Sequence, residues 1–398
     1  MKKTAILFLT AGVFFACNQP VKKNKAEKSF ETQLQERLLS AKAGDVIEIA
    51  EGTHKFTRSL SLDGIDNVTI KGAGKDKTIL SFKEQIEGAE GLKITANGII
   101  ISDLTVQDTK GDAIKVQESD GVTFRNVGVT WTNGPDSANG AYGLYPVTCK
   151  NVLIENCEAS AASDAGIYVG QSEHIVVRNC KVWENVAGIE IENSIYADVY
   201  DNEAYNNTGG VLIFDLPELP KKNGHHIRVY NNNVHDNNLP NFSPIGNTVA
   251  LVPAGTGMLI LATREVEFFN NTVKNHKTTS LAVVSYMTTE KPFTDSLYNP
   301  FPSAIYVHDN TFEQTPAMPD TSRALGKLTA MLFQGNSPHI LFDGFADPAA
   351  TGEDGRICIK NNGEISFANI NAPSGFKEIK TDLAEYDCEL SRLSEVEL

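Results

Sequence analysis

The chain has 398 residues, with 50 Asp and Glu against 35 Lys and Arg, and a net charge of −15. That balance argues against sequence-independent nucleic-acid binding, which needs a basic footprint, and counts against a polyanionic substrate unless a cation intervenes. None of the six cysteines shows Cys-x-x-Cys spacing, which excludes a Cys-x-x-Cys-His haem site.

In chain order, Lys2 and Lys3 precede an apolar run from Ala5 to Phe15, too short to span a bilayer, and then Ala16 and Cys17. This pattern predicts an export leader over residues 1–17. A small residue followed by Cys resembles a bacterial lipoprotein cleavage site, although Phe14 stands where Leu is usual. The expectation is lipidation at Cys17 and a polar tether over 18–28. The folded part would then sit in the bacterial cell envelope, on the outer membrane, facing the periplasm or the surface. Residues 29–43 are expected to form a helix, with Leu34, Leu38 and Leu39 as its apolar face.

Within residues 44–365, the expected extent of the repeat fold, a short phrase recurs from about residue 68 to 363, apolar-x-apolar-x-Asn/Asp. Examples are Val122-Thr-Phe-Arg-Asn126, Val152-Leu-Ile-Glu-Asn156, Ile175-Val-Val-Arg-Asn179 and Ile227-Arg-Val-Tyr-Asn231. Its fifth positions, from Asp103 to Asn361, are separated by 23, 30, 23, 22, 30, 39, 39 and 52 residues. A repeat that cannot bury its own apolar face must stack on its neighbours. The shortest step suits three short strands and three turns better than a propeller blade of roughly 40 to 45 residues. The predicted fold is all-β, a right-handed parallel β-helix of about ten coils. Residues 29–43 would cap its open first coil, and 366–398 would form a C-terminal cap or tail.

Eight residues upstream of the first phrase lies a second, Gly-apolar-x-apolar, as in Gly166-Ile-Tyr-Val and Gly188-Ile-Glu-Ile. Alternation sends Ile167, Val169, Ile189 and Ile191 inward and Tyr168, Glu190 and Glu192 outward. The residue after each Asn/Asp forms an interior column: Leu104, Val127, Cys157 and Cys180, then Asn202, Asn232, Asn271, Asn310 and Asn362. At about 4.8 Å per coil these amides can bond to one another. Ser119, Cys149, Ser172, Ser194 and Thr263 form a small column at another bend. Both columns read as structural. A Cys358–Cys388 disulfide is expected to tie the tail to the last coil, while Cys157 and Cys180 suit either a bridge or buried thiols.

These repeats and asparagine columns resemble the pectin-lyase-like superfamily of right-handed parallel β-helix proteins. A closer likeness is to a group of exported bacterial β-helix-repeat lipoproteins of unassigned activity, some encoded beside an exported cytochrome-like partner. The superfamily implies a substrate lying across the Gly-apolar-x-apolar strands. It transfers no catalytic residue, because the Asn-Thr-Asp, Asp-Asp, Gly-His-Gly, Arg-Ile-Lys and Asp-Pro-His motifs of its enzymes are absent here.

Function is therefore sought on that outward face and its flanking insertions, Asp215–His226, Leu239–Gly255, Met287–Ser303 and Thr315–Leu328. Glu190 and Glu192, about 6.5 to 7 Å apart at strand rise, and Asp215 are the candidate catalytic carboxylates, since glycoside hydrolysis needs a carboxyl pair. With Asn193 the two glutamates could instead supply oxygen ligands for calcium. No other metal or cofactor is assigned. Lys115, Tyr145, Tyr168, His225 and His226 are candidate substrate-binding residues. The expectation is a monomeric polysaccharide-processing protein, hydrolase or lyase, with a polysaccharide or oligosaccharide as partner. The alternative is a non-catalytic glycan-binding or scaffold lipoprotein working with an exported protein.

Overall fold

The computed structural model describes residues 28–398. The expected leader, Cys17 and nearly all of the tether lie outside the described residues. Among those described, no helix is long and apolar enough to cross a membrane.

The chain winds as a right-handed parallel β-helix. Each coil gives one strand to an 11-stranded parallel sheet and one or two to a 19-stranded sheet. One coil shows the pattern: Ala165–Gly170 in the smaller sheet, Glu173–Arg178 and Lys181–Trp183 in the larger, then Ala187–Glu192 beginning the next coil. Ile167, Ile189, Val211, Met258 and Leu281 face one another in register down the stack, and all are buried.

The recurring Asn/Asp has a conformational cause. Asp103, Asn126, Asn156, Asn179, Asp201, Asn231, Asn270, Asp309 and Asn361 all have φ between 53° and 58°. This left-handed conformation is tolerated best by Gly, Asn and Asp. The bend turns the next residue inward, where the amide column closes as expected. Asn202, Asn232, Asn271 and Asn310 each donate Nδ2 to Oδ1 of the next member, ending on Asn362, at 2.9 to 3.0 Å. A second ladder went unrecognised in the sequence: Asn185 donates to Asn207, Asn207 to Asn237, and Asn237 meets His276 Nε2. Its 22-, 30- and 39-residue steps follow those of the first ladder. The Ser172 and Ser194 hydroxyls accept from the backbone N–H of Cys149 and Ser172, as a structural column should.

The N-terminal helix α1 spans Phe30–Leu39, shorter than expected, with the Ser29 hydroxyl accepting from Thr32 N–H. Leu34 and Leu38 are buried, but Leu39 is 63% exposed. It lies about 100° round the helix from Leu38, off the buried stripe. At the other end, the strand Phe367–Asn369 pairs with Ile340–Phe342, so the β-structure runs past residue 365. Cys358 and Cys388 are bonded, while Cys149, Cys157 and Cys180 are free and buried.

The insertions cover the downstream half of the smaller sheet. Leu212, Phe214, Leu259, Leu261 and Val284 are outward-facing yet buried, packed with Val249, Val252, Tyr286 and Tyr298 from the loops. The segment expected to be loop through Leu328 contains the start of a second helix, α2, Ala324–Phe333, whose first position is preceded by Arg323 with no side-chain cap. Its Leu325, Leu328 and Leu332 pack on Leu341, Ala368 and Ile370.

Candidate functional site

Upstream of the covered half, the same sheet carries a cluster of acids and tyrosines. In register, Glu190 lies beside Tyr168 and Glu192 beside Gly170 on the preceding coil. On the following coil they lie beside Leu212 and Phe214. Gly170 matters here because a Cβ at this position would overlap Cε1 and the hydroxyl of Tyr168. The bare glycine lets the tyrosine ring lie across the strand, and its hydroxyl donates to Glu192 Oε1 at 2.7 Å.

Glu190 is 2% exposed, and its Oε2 has no partner among ordinary donors. Its neighbour is the Glu192 carboxyl, with which it makes a hydrogen bond only if one of the two keeps a proton. Burial, then the charges of Asp164 and Glu192, hold the Glu190 carboxyl well above the usual range. Burial also raises Glu192, but there the Tyr168 hydroxyl and Glu190 act in the opposite sense. The Tyr168 hydroxyl donates to Glu192, so of the pair Glu192 is the better anion. Asp164 is buried as well; burial and then Glu192 push it up, against the pull of Asn247, whose Nδ2 donates to Oδ2 at 3.0 Å. Burial takes Asp112 to about 6.

Asp164, Glu190 and Glu192 face one cavity of about 300 Å³ with Tyr142. The opposite wall is Leu216, Pro217 and Leu219 from one insertion and Gly246–Val249 from another. The 216–223 loop thus borders the space beside the two glutamates instead of filling it. None of the residues lining this cavity is Lys, Arg or His.

The other expected residues fall in different places. Tyr145 is half-buried at the margin, its ring 4.5 Å from that of Tyr142 and 5.1 Å from that of Tyr168. Lys115 Nζ lies 4.8 Å from the Tyr145 ring centre. Tyr168 is only 4% exposed, so its faces pack under neighbours and are not a platform for a sugar; its contribution is the hydroxyl. Asp215 does not line the cavity. Its oxygens accept from Asn223 N and Gly224 N at 2.9 and 3.0 Å, closing the adjoining loop, and burial raises it to about 7. The Asn193 amide is already engaged with the backbone of Leu216 and Lys221. His225 and His226 do not line this cavity, and His226 borders a separate one.

Asp164, Tyr142 and Asn247 were not singled out from the sequence. Asp164 precedes its strand at a bend, where alternation no longer assigns a face, and Asn247 reaches it across 83 residues of chain.

A family model for the right-handed β-helix region matches residues 90–223. The pre-neck appendage protein of Bacillus phage B103 is 25% identical over 236 residues, covering 48% of this chain and 27% of that protein. The corresponding protein of phage phi29 is 24% identical over 254 residues, covering 53% and 29%. The match thus spans under a third of the length of either relative. Among solved structures, the A-module of a mannuronan C-5 epimerase of Azotobacter vinelandii superposes with a TM-score of 0.53 at 14% identity, over 84% of this chain and 91% of that one. The fold defined by the stacked coils is therefore that of the right-handed β-helix proteins.

Proposed function

We propose that this chain is a polysaccharide-processing enzyme of the glycoside hydrolase class. The observation that carries this reading is three carboxyls, buried Asp164 and Glu190 and half-buried Glu192, unequally hydrogen-bonded and facing one cavity. Glu192, steadied by the Tyr168 hydroxyl, serves as the carboxylate that receives a proton from water or attacks the anomeric carbon. Asp164, neutral by burial and oriented by Asn247, donates its proton to the leaving oxygen. Dissimilar surroundings that separate the roles of nearby acids are the usual basis of such a division. A lyase or epimerase working on uronates would need a cation to neutralise the sugar carboxylate, and the lining residues offer none, which favours an uncharged sugar.

The test is a panel of neutral polysaccharides assayed for new reducing ends. Glu192→Gln and Asp164→Asn should each lower the rate by about 10² to 10⁴ with the far-ultraviolet spectrum unchanged, the usual worth of an acid or base. Undiminished release by both variants would remove these residues from the chemistry.

The appendage names of the phage relatives support a second reading, a non-catalytic glycan-binding or assembly protein acting with a partner. Binding on a glycan array by a wild-type protein that yields no reducing ends would select it. In either case we infer attachment to the cell envelope through Cys17. Cys17→Ala should then move the protein out of the membrane fraction.

A further inference from the structure

On a different face, three potential ligand atoms meet at one point. His225 and His226 open the strand His225–Tyr230, and Glu265 belongs to the strand Arg264–Phe269 of the next coil. Ile227 pairs with Val266, so His226 and Glu265 occupy the same bend column one coil apart. Both have left-handed φ, 56° and 51°, as do Tyr196 above and Ala304 below. The coil geometry imposes this column, and it holds the side chains at a fixed step.

The two Nδ1 atoms are 2.7 Å apart, Glu265 Oε2 is 3.7 Å from His225 Nδ1, and Glu265 Oε2 also touches His226 Nδ1. No arrangement of neutral tautomers gives each of the two close contacts a hydrogen of its own. If His226 Nδ1 carries its single hydrogen, Glu265 and a His225 Nδ1 lone pair must share it; if it accepts from His225, it faces the carboxylate with a bare lone pair. A cation at the meeting point resolves the conflict. Two ligands at about 2.1 Å on a tetrahedral ion lie about 3.4 Å apart; the 3.7 Å pair is near this value, while the two Nδ1 atoms at 2.7 Å and the Glu265–His226 pair sit closer and would spread to receive the ion.

We propose that His225, His226 and Glu265 form a binding site for a borderline divalent transition-metal ion such as zinc, with two imidazoles and one carboxylate as ligands. This set leaves a coordination position open, as in zinc sites that bind water or substrate. The position has room: His226, Glu265 and the small Ala304 border a cavity of about 330 Å³ closed by residues 390–394 of the tail. The nearby cations do not occupy the point: Lys221 pairs with Glu173 at 3.3 Å, and Arg264 is exposed.

Full-length protein without a polyhistidine tag, stripped of metal, should take up one equivalent of Zn²⁺ in competition with a chromophoric chelator and show visible d–d bands with Co²⁺. His226→Ala and Glu265→Gln should each weaken Zn²⁺ binding more than about 100-fold, beyond the usual cost of changing an outer-shell partner. His174→Ala, in the same column two coils away, should leave it unchanged. Zn²⁺ should also raise the melting temperature of the wild type and not of the two ligand variants, which separates lost binding from lost folding. Absence of stoichiometric uptake by the wild type, or equal affinity and equal thermal shift in the ligand variants, would overturn the assignment.

Discussion

Gly170 and Asp215 show how single positions build or border the candidate site. With no side chain, Gly170 leaves the Tyr168 ring its place, and the ring in turn delivers its hydroxyl to Glu192. Gly170→Ala should displace the ring and cost about 1 to 3 kcal/mol, as overpacking does. It should lower turnover together with stability, measured by urea unfolding and the reducing-end assay. Asp215 is set by burial: its folded pKa of about 7 exceeds the unfolded value. The folded state therefore binds the proton more tightly, and the stabilisation is complete below about pH 4 and is lost as pH rises through about 7. At roughly 1.4 kcal/mol per pH unit the span is on the order of 4 to 5 kcal/mol. Asp215→Asn should flatten the fall of melting temperature between pH 4 and 8. An unchanged slope would assign that pH dependence to Asp112, Asp164 or Glu190.

At the scale of the element, the coil is held by ladders that only neighbours can complete. Asn232 accepts from both the backbone N–H and Nδ2 of Asn202, and donates to Asn271 Oδ1 and Val199 O. Asn232→Leu leaves these buried groups unpaired at about 1 to 3 kcal/mol each. A loss of roughly 3 kcal/mol or more is expected in urea unfolding. By contrast Asn231, outside the ladder with φ of 56°, should tolerate Gly while Ala costs about 1 to 2 kcal/mol. The first ladder was legible because every member follows a turn Asn/Asp at a repeating interval. The second was not, because its strands are three residues long and Glu184, Asn206, Asp236 and Asn275 at its bends share no single residue type. Helix α2 was missed for a related reason: without a capping residue its start looks like loop, and its apolar stripe acquires a partner only where Leu341, Ala368 and Ile370 present one.

Over the whole molecule the tail acts as a strap. Arg392 Nη1 and Leu393 N donate to the buried Glu267, and Val396 N donates to Asp198, which also receives Arg228. These contacts join residues more than 120 positions apart, and the Cys358–Cys388 bond anchors the strap at its root across 30 residues. A loop of that length is worth about 3 to 4 kcal/mol in the chain-entropy account. Reduction, or Cys388→Ser, should lower stability by that order and open the tail to limited proteolysis while residues 46–369 stay resistant. Simultaneous digestion of both regions would show that the strap and coils melt as one.

The sequence alone determined the coil, its inward and outward faces and the strand on which Glu190 and Glu192 stand. It could do so because each rests on a period or an interval along the chain, and stacking repeats that interval from coil to coil. Only the tertiary structure decided that Tyr168 lies buried, that Asp215 serves a loop, that Asp164 joins the glutamates, and that His226 meets Glu265. Those outcomes depend on how insertions of unequal length return to the stack, on which neighbour removes water from each carboxyl, and on distances between residues on different coils, none of which has a counterpart in local spacing.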